Sequence, residues 1–180
     1  MAVLTEKQIK YGFDYYHKDD ARPKSVVEVS EYDGEDKLII NCTQLDEGYS
    51  AKDKKRIWLE WCDFLVNNPD TFTELMFCTR MPQDLFDAVC AQRRLKKLHI
   101  KWGVYPDISK LENLQELEYL HIGSGRSVSS LEPISRLVNL VALSIENFQQ
   151  IDDYAPLANL KHLERLALEG DFAAPKILKV

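Results

Sequence analysis

The chain has 180 residues, 45% of them hydrophobic and 29% charged, and a formal net charge of −6 at pH 7. These are the proportions of an ordinary globular protein of one compact domain, or of one solenoid with a cap. The negative balance argues against nucleic acid as a general ligand, and no stretch approaches the roughly 20 apolar residues that a membrane span requires.

The first residues, Met1 to Lys7, lack the apolar core of a signal peptide, so a cytoplasmic location is expected. The cysteines at 42, 62, 78 and 90 form no paired motif and read as reduced and mostly buried. Asn41-Cys42-Thr43 matches a glycosylation acceptor that a cytoplasmic chain leaves idle.

Residues 1–24 are rich in Lys, Asp and Tyr, and Gly12 to Tyr16 reads as an aromatic plug against a cap, with a sticky surface tract as the alternative. Val26 to Val29 reads as a strand, Tyr32 to Asp36 as a turn around Asp33-Gly34, and Leu38 to Asn41 as a returning strand. Residues 26–41 are therefore expected to form a β-hairpin. Ser50 and Asp53 have capping spacing, and Asn68-Pro69 is a stop, which together delimit a helix at about 51–67. Its stripe of Ile57, Trp58, Trp61, Phe64 and Leu65 is apolar enough to close the first repeat, although two tryptophans would also suit a binding surface. Residues 1–70 are thus assigned to an N-terminal cap.

From residue 71 onward one hydrophobic phrase recurs. It reads Phe72-x-x-Leu75-x-Phe77, Leu95-x-x-Leu98-x-Ile100, Leu117-x-x-Leu120-x-Ile122, Leu140-x-x-Leu143-x-Ile145 and Leu163-x-x-Leu166-x-Leu168, with steps of 23, 22, 23 and 23 residues between first positions. The alternation within each phrase places its last two apolar residues on one face of a short strand, which no single strand can bury alone. Stacking at this beat gives a β/α solenoid with a curved parallel sheet of about five strands over residues 71–180. Leu75, Leu98, Leu120, Leu143 and Leu166 are expected in one buried column, and Phe77, Ile100, Ile122, Ile145 and Leu168 in a second. Between the first two phrases, Leu85, Phe86, Val89 and Cys90 have helical spacing. Later return segments are tighter, with Pro133 and Pro156 equivalently placed for the first turn of a short helix or 3₁₀ segment. The densest basic run, Arg93-Arg94-x-Lys96-Lys97, reads as a solvated helix end and strand start.

These phrases and return segments resemble the leucine-rich repeat proteins, and in particular the short repeats of the internalin-like and phosphatase-regulator-like subclass. The resemblance implies a right-handed solenoid, with the hairpin and helix as its N-terminal cap, that binds other proteins on its concave face. Internalins are themselves exported, so the cytoplasmic expectation follows the N-terminus and not the family. The family usually has asparagine at the ninth position of the repeat; here Arg80, Gly103, Gly125, Phe148 and Asp171 stand there, and glycine is expected to supply backbone freedom instead.

Residues between the ladder positions face the concave side. One column reads Glu74, Lys97, Tyr119, Ala142 and Arg165; the next Met76, His99, His121, Ser144 and Ala167; a third Cys78, Lys101, Gly123, Glu146 and Glu169. Adjacent strands lie ~4.8 Å apart, so the columns form one panel. Its expected partner-contacting residues are Glu74, Lys97, His99, Lys101, Trp102, Tyr119, His121, Glu146 and Arg165. Tyr, Trp and Arg are enriched at binding hot spots. The expected activity is therefore non-catalytic protein binding without a cofactor or metal, either as a scaffold or as a dedicated inhibitor or immunity-type protein. The competing reading is a metal-dependent or Cys/His enzyme site built from His99, His121 and Cys78 on the same face. No Gly-rich phosphate loop, zinc-type cysteine pair or nucleophile elbow is present.

After Leu168, only Phe172, Ile177, Leu178 and Val180 remain as the apolar supply for a short lid. An exposed sheet edge there would lead either into further repeats or to a homodimer through that edge.

Overall fold

The computed structural model describes residues 4–11 and 22–170. The expected aromatic plug at Gly12 to Tyr16 and the lid beyond Gly170 lie outside the described residues.

Among the described residues, seven strands form one unclosed, curved parallel sheet, ordered as they occur in the chain. They are β1 (Lys24–Val26), β2 (Lys37–Ile40), β3 (Glu74–Met81), β4 (Lys97–Gly103), β5 (Tyr119–Gly123), β6 (Ala142–Glu146) and β7 (Arg165–Glu169). Each is parallel to the next. The helices are α1 (Glu6–Tyr11), α2 (Ala51–Asn67), α3 (Gln83–Val89) and α4 (Glu132–Ser135), with 3₁₀ segments at Val29–Glu31, Ser109–Asn113 and Ala155–Asn159. Pro133 sits in the first turn of α4 and Pro156 in that of the last 3₁₀ segment, where a missing N–H costs nothing. The fold is that of a leucine-rich repeat solenoid.

The 22- or 23-residue beat appears directly as strand register. Leu75 pairs with Leu98, Leu98 with Leu120, Leu120 with Leu143, and Leu143 with Leu166; Phe77, Ile100, Ile122, Ile145 and Leu168 follow in the same way. The first four leucines are fully buried, and each such side chain contributes roughly 1.5–3 kcal/mol. The expected buried column stops there, because Leu166 is 45% exposed. It lies on the outermost described strand, which has a neighbour on one side only.

The expected hairpin does not form. β1 and β2 pair in parallel, Val26 with Ile40, so residues 27–36 act as a shortened crossover. The reason is a demand for side chains beneath the sheet. Tyr32 packs edge-on against Phe64 of α2 and against Phe72, at centroid distances of 5.2 and 5.5 Å, and Val27 and Val29 pack on the same core. A two-stranded hairpin would hold this segment away from them. The first extended stretch accordingly ends at Val26, and Val29 belongs to a 3₁₀ turn.

The sheet runs without interruption across residue 70, since β2 pairs with β3. α2 is the return segment between these strands and lies alongside α3. Ser50 accepts a hydrogen bond from the Asp53 N–H at its start (3.1 Å), and Ile57, Trp61 and Leu65 are fully buried on its inner face. Trp61 Nε1 donates to the Val27 carbonyl at 2.8 Å, tying α2 to the crossover.

Polar side chains tie neighbouring repeats at the same beat. Lys96 pairs with Glu118, Lys110 with Asp87, Arg136 with Glu112, and Arg93 with Asp70. In the basic run at 93–97, Arg93, Lys96 and Lys97 are therefore engaged by carboxylates of adjacent repeats, and Arg94 donates to the Asp70 carbonyl. The glycines at the ninth position serve contact and not conformation. Neither Gly103 nor Gly125 has a positive φ; the left-handed residues of the later turns are Ser124 (φ 58°) and Asn147 (φ 57°). A Cβ at Gly125 would meet the Phe148 ring at 2.2 Å, so the aromatic ring at the ninth position of one repeat occupies the space left by the glycine of the previous one.

Candidate functional site

β3 to β7 place the first two concave columns as their alternation dictates. Glu74 is level with Lys97, Lys97 with Tyr119, Tyr119 with Ala142, and Ala142 with Arg165; Met76, His99, His121, Ser144 and Ala167 form the adjacent row. The third column holds in part. Gly123, Glu146 and Glu169 align, but the register of β3 against β4 shifts between Phe77 and Arg80, so that Arg80 opposes Trp102. At this irregularity two residues of β3, Cys78 and Thr79, stand against the single Lys101 of β4. Strict alternation, on which the sequence reading relied, cannot foresee an inserted residue.

At the N-terminal end of the panel, Lys97 Nζ lies 3.1 Å from Glu74 Oε1, with the two side chains only 12% and 13% exposed. An ion pair so shielded is held in one geometry and is screened little by salt. Beside it, the His99 and His121 rings stack at 4.2 Å between centroids and 9° between planes. His121 Nδ1 is 3.0 Å from Ser144 Oγ, and its Nε2 is 3.8 Å from Glu146 Oε2. The second distance is too long for a hydrogen bond and matters through charge when the imidazole is protonated. Met76, Ser144 and His99 are 4%, 4% and 8% exposed, so the middle row is a buried polar seam.

The stack also bears on metal chemistry. Imidazole lone pairs lie in the ring plane, and two nearly parallel rings 4.2 Å apart do not aim theirs at one point about 2.1 Å from both. Among the described residues, no group of three or more His, Cys, Asp or Glu could hold a metal ion.

The C-terminal end of the panel is more accessible. Lys101 is exposed, its Nζ 5.8 Å from the centroid of the Trp102 ring, and Trp102 itself is 44% exposed. Glu146 and Arg165 are half-buried. Tyr119 is also half-buried, and burial, followed by the nearby charges of Glu118 and Glu164, pushes its phenol above the ordinary value.

Residues not singled out in the sequence also reach this face. Leu4 packs against Val141 and Ala142 with Tyr119 alongside, and its N–H donates to Glu164. Arg22 Nη2 lies 3.9 Å from Met76 Sδ, at the β3 end. A signal for the first contact exists in the sequence: Thr5-x-x-Gln8 is a capping box with an apolar residue immediately before it. Nothing local indicates which surface that residue meets.

No family model matches the chain, and no curated protein sequence matches it. Among solved structures, the chain is similar to internalin C2 from Listeria monocytogenes, with a TM-score of 0.42 and 18% identity over 79% of this chain and 64% of that one. It is also similar to a second internalin (inlF) from the same organism, with a TM-score of 0.37 and 14% identity over 77% of this chain and 54% of the other. The chain thus spans less than two thirds of either protein. The fold assignment rests on the strand register and not on these likenesses.

Proposed function

We propose that the chain is a non-catalytic interaction module that holds a partner protein on its concave face. The observation that carries this reading is the exposed Trp102 indole beside Lys101 at the end of β4, next to concave side chains held in place by the Glu74–Lys97 pair and the histidine stack. An aromatic anchor on a rigid support loses little freedom on binding, which is where hot-spot energy concentrates. Tyr119, Glu146 and Arg165 extend the same face toward β7, and a solenoid offers such a surface over several repeats. A dedicated inhibitor would use it in the same way.

Four free cysteines, two of them buried, support a reducing, cytoplasmic setting. Nucleic acid is not part of the reading, because Arg93, Lys96 and Lys97 of the basic run pair with carboxylates of neighbouring repeats. Among the described residues, no helix is long and apolar enough to cross a membrane.

Affinity capture with the wild-type chain, a Trp102→Ala/Arg165→Ala variant and a Val138→Ala control on a return segment tests the proposal. A protein kept by the wild type and the control, and lost at least tenfold by the double variant, supports the concave face. A protein held equally by all three places the contact elsewhere.

A second reading, self-association along β7, is favoured by the exposure of Leu166, since side chains and backbone groups at a sheet edge invite another strand. Light scattering tests it: a dimer abolished by Leu166→Lys supports edge pairing, and a monomer at all concentrations removes it.

A further inference from the structure

Most buried apolar side chains of the solenoid form one core beneath the sheet, and among the described residues a second, smaller cluster stands apart from it. Leu4 is 6% exposed and lies against Val141 (6%) and Ala142 (0%), with Tyr119 packed alongside, apart from the main core. Leu4 also donates its backbone N–H to Glu164 Oε2 at 2.9 Å, across 160 residues of sequence. Directly after it, Thr5 N–H donates to Gln8 Oε1 at 3.0 Å and Gln8 N–H to Thr5 Oγ1 at 3.2 Å, so the chain turns at once into α1.

The ladder of the repeats does not require this contact. Its chemistry is that of peptide recognition: an aliphatic side chain is desolvated against an aromatic and two small apolar neighbours, while the adjoining amide finds a charged acceptor. Ala142, in a concave row, is fully buried, and among the described residues Leu4 packs against it together with Val141 and Tyr119. We infer that Tyr119, Val141, Ala142 and Glu164 form a docking site for a leucine-led peptide segment, and that the chain's own N-terminal segment occupies it in cis. A partner bound across β5 to β7 then meets a filled site and must displace Leu4. This competition rests on the concave-face reading above; the occupancy does not.

The occupancy is tested without a partner in the full-length chain. In Ala142→Cys, the introduced thiol is labelled with a maleimide and located by peptide mapping, with and without Leu4→Asp. Labelling at least tenfold faster in the presence of Leu4→Asp is expected; equal rates overturn the docking. Because a thiol at 142 could itself loosen the contact, hydrogen exchange over residues 4–11 is also followed in chains with alanine retained there. Faster exchange in Leu4→Asp and in Glu164→Ala than in the wild type is expected, and identical exchange in all three overturns the site. Partner capture then reads the competition separately. At least tenfold stronger retention by Leu4→Asp supports it, and equal retention overturns it while the labelling result stands.

Discussion

The ring of Tyr105 lies so close to the backbone of Gly103 that a Cβ added at 103 would meet Tyr105 Cζ at 2.3 Å. Tyr105 is fully enclosed, its ring 4.4 Å from that of Phe86, and cannot retreat. Gly103→Ala is therefore expected to destabilise the chain by about 1–3 kcal/mol, the usual cost of overpacking. Gly170→Ala, with no described residue within 4 Å of its added Cβ, should be nearly neutral. Urea unfolding of both variants measures the difference.

Repeat position alone does not set the cost of losing a ladder leucine. Leu143 is fully buried between strands on both sides, and Leu166 is 45% exposed. Leu143→Ala should cost about 2–5 kcal/mol by lost transfer energy and cavity formation. Leu166→Ala should cost less than about 1 kcal/mol, since half of its surface is already in water. Equal costs in denaturant titration would mean that Leu166 is covered in solution.

Gln92 is fully buried and joins three pieces of the N-terminal region. Its Nε2 donates to the carbonyls of Leu65 (2.6 Å) and Asn68 (2.9 Å), and its Oε1 accepts from the Phe72 N–H (3.3 Å). Gln92→Leu keeps the bulk and orphans buried backbone groups at the end of α2 and before β3. A loss of about 2–4 kcal/mol is expected, at roughly 1–3 kcal/mol per unsatisfied group. Thermal unfolding checks it, and a loss under about 0.5 kcal/mol, the scatter of surface substitutions, would contradict the role.

Burial pushes the Cys42 thiol from the ordinary 9.0 up to about 12, with the Cys62 thiol adding to the effect. The folded state thus holds the proton more tightly than the unfolded chain. This contribution to stability is fully present below about pH 9 and is lost as pH rises toward about 12. The unfolding free energy should fall across that window, with a slope from this one group of up to about 1.4 kcal/mol per pH unit. In Cys42→Ala that part of the slope should vanish, which urea titrations from about pH 8 to about pH 11 would reveal.

The concave rows were legible in the sequence because a strand alternates its faces and a stack repeats its beat: once Leu98 and Leu120 are aligned, His99 and His121 are neighbours of necessity. The stacking angle and the shielding of Lys97 by Glu74 were not legible, because side-chain geometry within a row depends on what lies over it. The irregularity between Phe77 and Arg80 in β3 was not legible either, since alternation alone does not announce an inserted residue.

What the sequence determined by itself is the parallel register of β3 to β7 and the two ladders beneath it, since periodic apolar residues have a single arrangement that buries them all. Tertiary structure decided the rest. The direction in which β1 meets β2 was set by the pull of Tyr32 toward Phe64 and Phe72, against a local turn signal at Asp33-Gly34. The need for glycine at 103 was set by an aromatic ring and not by φ. The placing of Leu4 on the concave face was set by Val141, Ala142 and Glu164, residues no local pattern connects to it. Such contacts between distant segments are decided by which surfaces the folded stack leaves within reach, and that is known only once the stack exists.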